Sequence, residues 1–286
     1  MRVLVAGCGW LGKEIARRLV ARGDRVTGVR RDPGRAASLA SIGVTPLAVD
    51  LAAAGSERLL PDVDAVVACQ SAASDAEGDY RSAYLAANRA LLAAAERARA
   101  RAFVYTGSTG VFGQEDGSDV DEGSPPRPAS ANARVLAEAE RLVLSAAGRG
   151  IRSSVVRLSG LYGPGRAGIV DRVRSGALAL GPGDEAWMNF CHLEDAAAFV
   201  LAALDRAGAG AIHHGSDAHP ARRREVVEWI AARLGTAPPR AEKGRPGPNR
   251  RVLSAATREA LGVALAYPSF REGLLALVPP AAGGAR

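Results

Sequence analysis

A chain of 286 residues, 48% of them apolar, is long enough for one large domain or two joined ones and for a sizeable core. No apolar run approaches the roughly 18 residues of a membrane helix, and the opening residues read as a strand, not a secretion signal, so a cytoplasmic protein is expected. The net charge of +7 comes almost wholly from arginine, without a basic tail or interleaved aromatics, so the expected partner is a phosphate-bearing small molecule and not nucleic acid or membrane.

Arg2-Val3-Leu4-Val5-Ala6 predicts a strand. Gly7-Cys8-Gly9-Trp10-Leu11-Gly12 follows, and then Leu11, Ile15 and Leu19 recur at helical spacing. A strand, a G-x-G-x-x-G turn and a helix in that order make a dinucleotide-binding fingerprint. Gly7 suits the tight turn, Gly9 the approach of backbone to a pyrophosphate, and Gly12 close helix–strand packing. The helix start offers unpaired N–H groups to the phosphates. The expected cofactor contacts here are Gly7, Gly9, Trp10, Leu11 and Gly12.

Residues 26–29 predict a second strand that runs into Arg30-Arg31-Asp32-Pro33. An acidic residue at this point holds a ribose 2′-hydroxyl, whereas arginine suits a 2′-phosphate. Arg30 and Arg31 therefore point to NADP(H) in preference to NAD(H). Further strands are predicted over 44–49, 62–68, 103–106, 154–158 and 211–214. Helices are predicted over 84–99, 130–147, 194–204 and 222–234, with two short ones near 256–261 and 269–277. The alternation implies an α/β protein with a parallel sheet and right-handed crossovers.

The acidic and then proline-rich stretch 116–128 reads as a surface loop, and no metal site is expected from its carboxylates. From Ser159 glycines multiply, and 238–248 reads as a linker. The expected organisation is a Rossmann doubly wound parallel sheet in residues 1–160, completed by segments near 190–215. A smaller, loop-rich C-terminal substrate region spans 161–286. Cys8, Cys69 and Cys191 are far apart and read as reduced intracellular thiols.

By these landmarks the chain resembles the extended short-chain dehydrogenase/reductase superfamily, in its epimerase and dehydratase branch. Besides the glycine turn, the resemblance rests on Asp50-Leu51, on Asn88, and on Ser108-Thr109-Gly110-Val111-Phe112-Gly113. It also rests on Arg157-Leu158-Ser159-Gly160-Leu161-Tyr162-Gly163-Pro164 and on Asn189-Phe190-Cys191-His192-Leu193-Glu194-Asp195. It implies that Asp50, Leu51 and Asn88 join the cofactor site and that Ser108 bonds the reacting oxygen.

The family's Tyr-x-x-x-Lys pair should open the 130–147 helix. Aligned on Glu138, the tyrosine position is Ser130 and the lysine position Arg134. Lys13 and Lys243 are the two lysines, and neither follows a tyrosine by four residues. A serine hydroxyl is a far weaker acid than a phenol, and a guanidinium does not exchange protons near neutrality. The catalytic candidates are therefore Ser108, Ser130 and Arg134, in an atypical site. Tyr80, Tyr84, His192, His213 and His214 are the other groups able to move a proton, each with a packing or capping alternative. The expected protein is an NADP(H)-binding oxidoreductase or epimerase/dehydratase-like enzyme; the other reading is a catalytically silent NADP(H) sensor. The alanine-rich 84–99 and 130–147 helices suit a homodimer.

Overall fold

Seven strands form one sheet in the computed structural model, which describes residues 1–178, 180–181, 183–237 and 247–278. They are β1 (Arg2–Ala6), β2 (Arg25–Arg30), β3 (Thr45–Ala48), β4 (Ala65–Ala68), β5 (Ala102–Ser108), β6 (Arg152–Leu158) and β7 (Ala211–Gly215). Their order is β7-β6-β5-β4-β1-β2-β3, and every pairing is parallel. The longer helices are α1 (Trp10–Ala21), α2 (Ala87–Arg97), α3 (Ala131–Leu144), α4 (Leu193–Arg206) and α5 (Arg223–Leu234).

The central strands β1, β4, β5 and β6 are buried on both faces, which is why they read as apolar runs without polar alternation. Successive side chains still part company. Val3 and Val5 of β1 join Ile15, Leu19 and Phe199 beneath α1 and α4. Leu4 and Ala6 join Leu91, Phe103, Tyr105 and Val135 beneath α2 and α3. This is the Rossmann doubly wound arrangement. A third apolar cluster gathers Tyr162, Phe190, Val226, Ile230, Phe270 and Leu274 from the glycine-rich and C-terminal segments.

The expected elements are present, with ends displaced by a few residues. The largest displacement precedes α2. Helix begins at Glu77, winds as a π-helix over Arg81–Ala86, and only then becomes α2. Apolar spacing at 3.6 residues does not register such a turn. Residues 238–246 of the expected linker lie outside the described residues, and Lys243 with them.

One ionic contact lies inside the packed layers. Glu140 on α3 takes Arg157 of β6 in a fork, Nη2–Oε2 at 2.8 Å and Nε–Oε1 at 3.0 Å. Their side chains are 3% and 1% exposed. Burial pushes the Glu140 carboxyl up, and Arg157 draws it back. The guanidinium also lies over the Phe112 ring, 5.0 Å from its centre.

Candidate cofactor cleft and active site

The strand order reverses between β1 and β4, so their carboxyl ends diverge and leave a crevice. Gly7 follows β1 and Gln70 follows β4, and the two backbones touch. Gly7 has φ +70°, and a Cβ there would stand 2.3 Å from the Gln70 backbone. Gly12 is seated on Gly7 in the same way, its absent Cβ 2.6 Å from the Gly7 carbonyl. Gly7→Ala is expected to cost about 2–4 kcal/mol, from left-handed backbone strain and overpacking together. Melting with and without NADPH checks this: the variant melts lower and gains nothing from the nucleotide.

No side chain caps α1, whereas Ser130 caps α3 and His192 caps α4. The first-turn N–H groups of α1 therefore remain for an anion, at the mouth of the crevice. The cleft there measures about 320 Å³ and is lined by Gly7, Gly9, Arg30, Arg31, Asp50 and Leu51, with the 70–73 loop opposite. Glycine turn, uncapped helix and cationic rim fit a pyrophosphate-containing dinucleotide.

Arg30 is half-buried and donates to the Cys8 carbonyl at 3.0 Å, which holds its guanidinium beside Gly9. Arg31 and Arg35 are exposed on the same rim. Asp32 lies among them, but its carboxylate accepts the Arg35 N–H at 2.7 Å and caps the short helix Pro33–Ala37. Arg35 was not expected from the sequence; the Asp32-Pro33 helix start was the available signal. Asp50 accepts the Ala52 N–H at 3.0 Å, and Leu51 is 8% exposed at the cleft floor.

The side chains of three expected contacts are engaged elsewhere. The Trp10 indole donates to the Pro164 carbonyl at 2.8 Å, so the side chain ties the glycine turn to the glycine-rich segment. Only its backbone is left to face the cleft. Leu11 packs into the core beside β1. Asn88 is fully buried: its Oδ1 accepts from Gln70 Nε2 at 2.9 Å and its Nδ2 donates to the Tyr84 carbonyl at 2.8 Å. It therefore ties the 70–73 loop to the helix.

Ser108 ends β5 at the carboxyl edge of the sheet, partly exposed. Its Oγ accepts the Gly110 N–H at 3.0 Å, leaving the hydroxyl proton free to donate. Ser130 Oγ likewise accepts a backbone N–H, that of Ala133 at 3.1 Å, as the cap of α3. Arg134 is exposed and lines a second cavity along α3, with Glu77, Arg81 and Glu138, which shares no lining residue with the cofactor cleft. Helix phase is the reason: Val135 and Leu136 take the core-facing positions and turn Arg134 outward.

Two of the candidate histidines have structural partners. His192 Nδ1 accepts the Glu194 N–H at 3.3 Å, and burial lowers its pKa. His214 is buried with Nδ1 3.0 Å from the Leu253 carbonyl. Burial raises all three thiols, Cys8 to about 11, so none is a ready nucleophile. One cation near Ser108 was missed. Arg250 is 9% exposed and donates from Nη2 to the Thr109 carbonyl at 2.8 Å, while Nε and Nη1 lack a partner among the described residues. It follows a stretch that reads only as loop, so nothing local marks it.

A glycine turn at the switch point of a seven-stranded parallel sheet defines a Rossmann-type dinucleotide-binding protein. The chain belongs to the NAD dependent epimerase/dehydratase family, whose model matches residues 3–214. It is 33% identical to Protein YeeZ of Escherichia coli strain K12, over 83% of this chain and 85% of that protein. A 3-diazoavenalumate denitrifying reductase from a Streptomyces species is 30% identical, with 96% of this chain and 99% of the relative covered. The solved UDP-glucose 4-epimerase of Thermus thermophilus, in complex with NAD, superimposes with a TM-score of 0.80 at 26% identity, covering 96% of each chain. No helix among the described residues is long and apolar enough to cross a membrane.

Proposed function

We propose that this protein is an NADP(H)-dependent oxidoreductase or epimerase/dehydratase-like enzyme that acts on a small molecule through a non-standard proton path. The observation that carries the cofactor reading is the guanidinium rim at the end of β2, where Arg30, Arg31 and Arg35 surround a cleft that begins at the glycine turn. Reductase and epimerase names among the relatives support redox chemistry. When bound, the nicotinamide supplies or accepts a hydride.

The chain's own part is binding and orientation. The first turn of α1 and Gly9 receive the pyrophosphate, and the arginines receive the 2′-phosphate. Leu51 meets the adenine side, and Ser108 donates to the substrate oxygen. The same reading has the protein cytoplasmic, with its free cysteines in support. It pairs two copies through α2 and α3.

Calorimetric titration with NADPH and NADH tests the cofactor; equal or tighter NADH binding refutes the preference. A carbonyl and sugar-nucleotide panel tests catalysis. For whatever is turned over, Ser108→Ala is expected to lower kcat about 100-fold, the order seen for loss of one positioned donor, with NADPH affinity unchanged. A second reading, a silent NADP(H) sensor, is favoured by Ser130 serving as a cap and Arg134 facing outward. It expects no turnover and a partner whose affinity differs between NADP+ and NADPH.

A further inference from the structure

Ser130 leaves the site without the phenol that its position holds in the family, yet a phenol stands nearby. The chain has five tyrosines. Tyr105 is fully buried under the sheet's helices, and Tyr162 is buried in the third cluster. Tyr267 bonds Glu194 at the start of α4. Tyr80 and Tyr84 remain, packed against the cluster of Val111, Phe112 and Leu136 that carries the Ser108–Val111 turn.

Of these two, Tyr84 reaches the cofactor side. Its Oη accepts the Ala72 N–H at 3.4 Å, and Ala72 lines the cleft. It projects from the π-helix Arg81–Ala86, whose extra residue per turn sets its direction, a device frequent at functional sites. Asn132 at the start of α3 donates to the Asp75 carbonyl at 2.8 Å and ties the 71–76 loop to that helix. A cation is also at hand. Arg166 lies over Trp10 of the glycine turn, 5.5 Å from the ring centre, and forms no ion pair among the described residues.

We propose that Tyr84 is the proton donor of this active site. The proposal rests on the NADP(H) reading above. With the Ala72 N–H on its oxygen, Tyr84 keeps its own proton free to donate. In a carbonyl reduction, hydride from the reduced nicotinamide adds to the carbonyl carbon as the C=O π bond breaks toward oxygen. The Tyr84 O–H bond breaks and its proton goes to that oxygen, giving the alcohol; the phenolate regains a proton from water. Burial raises the Tyr84 pKa, the Ala72 N–H lowers it, Tyr80 raises it and Arg166 lowers it. The resting group is thus a neutral acid, and Arg166 favours the phenolate it leaves.

The test follows the tyrosine ring carbons by NMR through a pH titration of the full chain, with and without saturating NADP+. Tyr84→Phe and Tyr80→Phe assign the signals. The cationic nicotinamide is expected to lower the Tyr84 transition by about one pH unit or more, and Arg166→Gln to raise it by a smaller amount. For any carbonyl compound the panel finds reduced, Tyr84→Phe lowers kcat at least 100-fold with KM nearly unchanged, and Tyr80→Phe does not. A Tyr84 signal indifferent to bound NADP+ overturns the proposal, as does undiminished kcat in Tyr84→Phe. Failure of both nucleotides to bind overturns the cofactor reading instead.

Discussion

The double variant Arg30→Ala/Arg31→Ala is expected to bind NADPH about 100-fold more weakly than the parent, with NADH affinity changed less than about threefold. The estimate assumes two charge-assisted bonds to one phosphate, discounted for solvent, or about 2.7 kcal/mol in all. The two arginines are not equivalent. Arg30 is half-buried and braces the Cys8 carbonyl, and the small loss expected for NADH is the part that comes from this brace. Arg31 is exposed, and its loss reports on the phosphate alone. Arg31→Ala by itself is therefore expected to cost about tenfold for NADPH, and added salt should narrow the gap between the two nucleotides. Calorimetry of the three proteins against both nucleotides decides the matter. An equal loss for NADH and NADPH would show that the arginines shape the turn without reading a 2′-phosphate.

The second large effect concerns stability. Glu140→Gln or Arg157→Met alone is expected to destabilise the fold by about 3–5 kcal/mol, because each leaves its former partner almost fully buried and unpaired. For a chain of this size that lowers Tm by roughly 10 °C. Replacing both together, with Leu at 140 and Met at 157, is expected to recover most of the loss, since neither charge then remains to be solvated. The pair is not merely structural filler. Gly107 packs on Glu140 Oε1, where a Cβ would stand at 3.0 Å, and Gly107 immediately precedes Ser108. The double variant is thus expected to melt near the parent while holding the Ser108 turn less firmly. Thermal melting of the two single variants and the double one measures the coupling; additive losses would show that the pair does not act as a unit.

The cleft at the glycine turn was legible because it is built from neighbours in sequence. Gly7, Gly9 and Gly12 lie on one turn, and Arg30-Arg31 directly ends the next strand. The surroundings of the catalytic candidates were not. Aligning motif positions placed the chemistry at Ser130 and Arg134, but a serine at a helix start has a closer partner in its own first turn, the Ala133 N–H. Trp10 was assigned to the cofactor by its place inside the fingerprint, whereas a carbonyl 154 residues away claims its indole. Asn88 carried a family role, but its side-chain oxygen is taken by Gln70.

The sequence by itself determined the order of strands and helices, the turn that admits a dinucleotide and the cations beside it. Each of these depends on side-chain period, backbone sterics and charge within a few residues. Only the tertiary structure decided which polar groups remain free once folding has used the others. It matched Glu140 to Arg157 and Asn88 to Gln70, turned Arg134 away from the cleft, and brought Tyr84 to the loop after β4. Those pairings join residues far apart along the chain, and no local periodicity carries them.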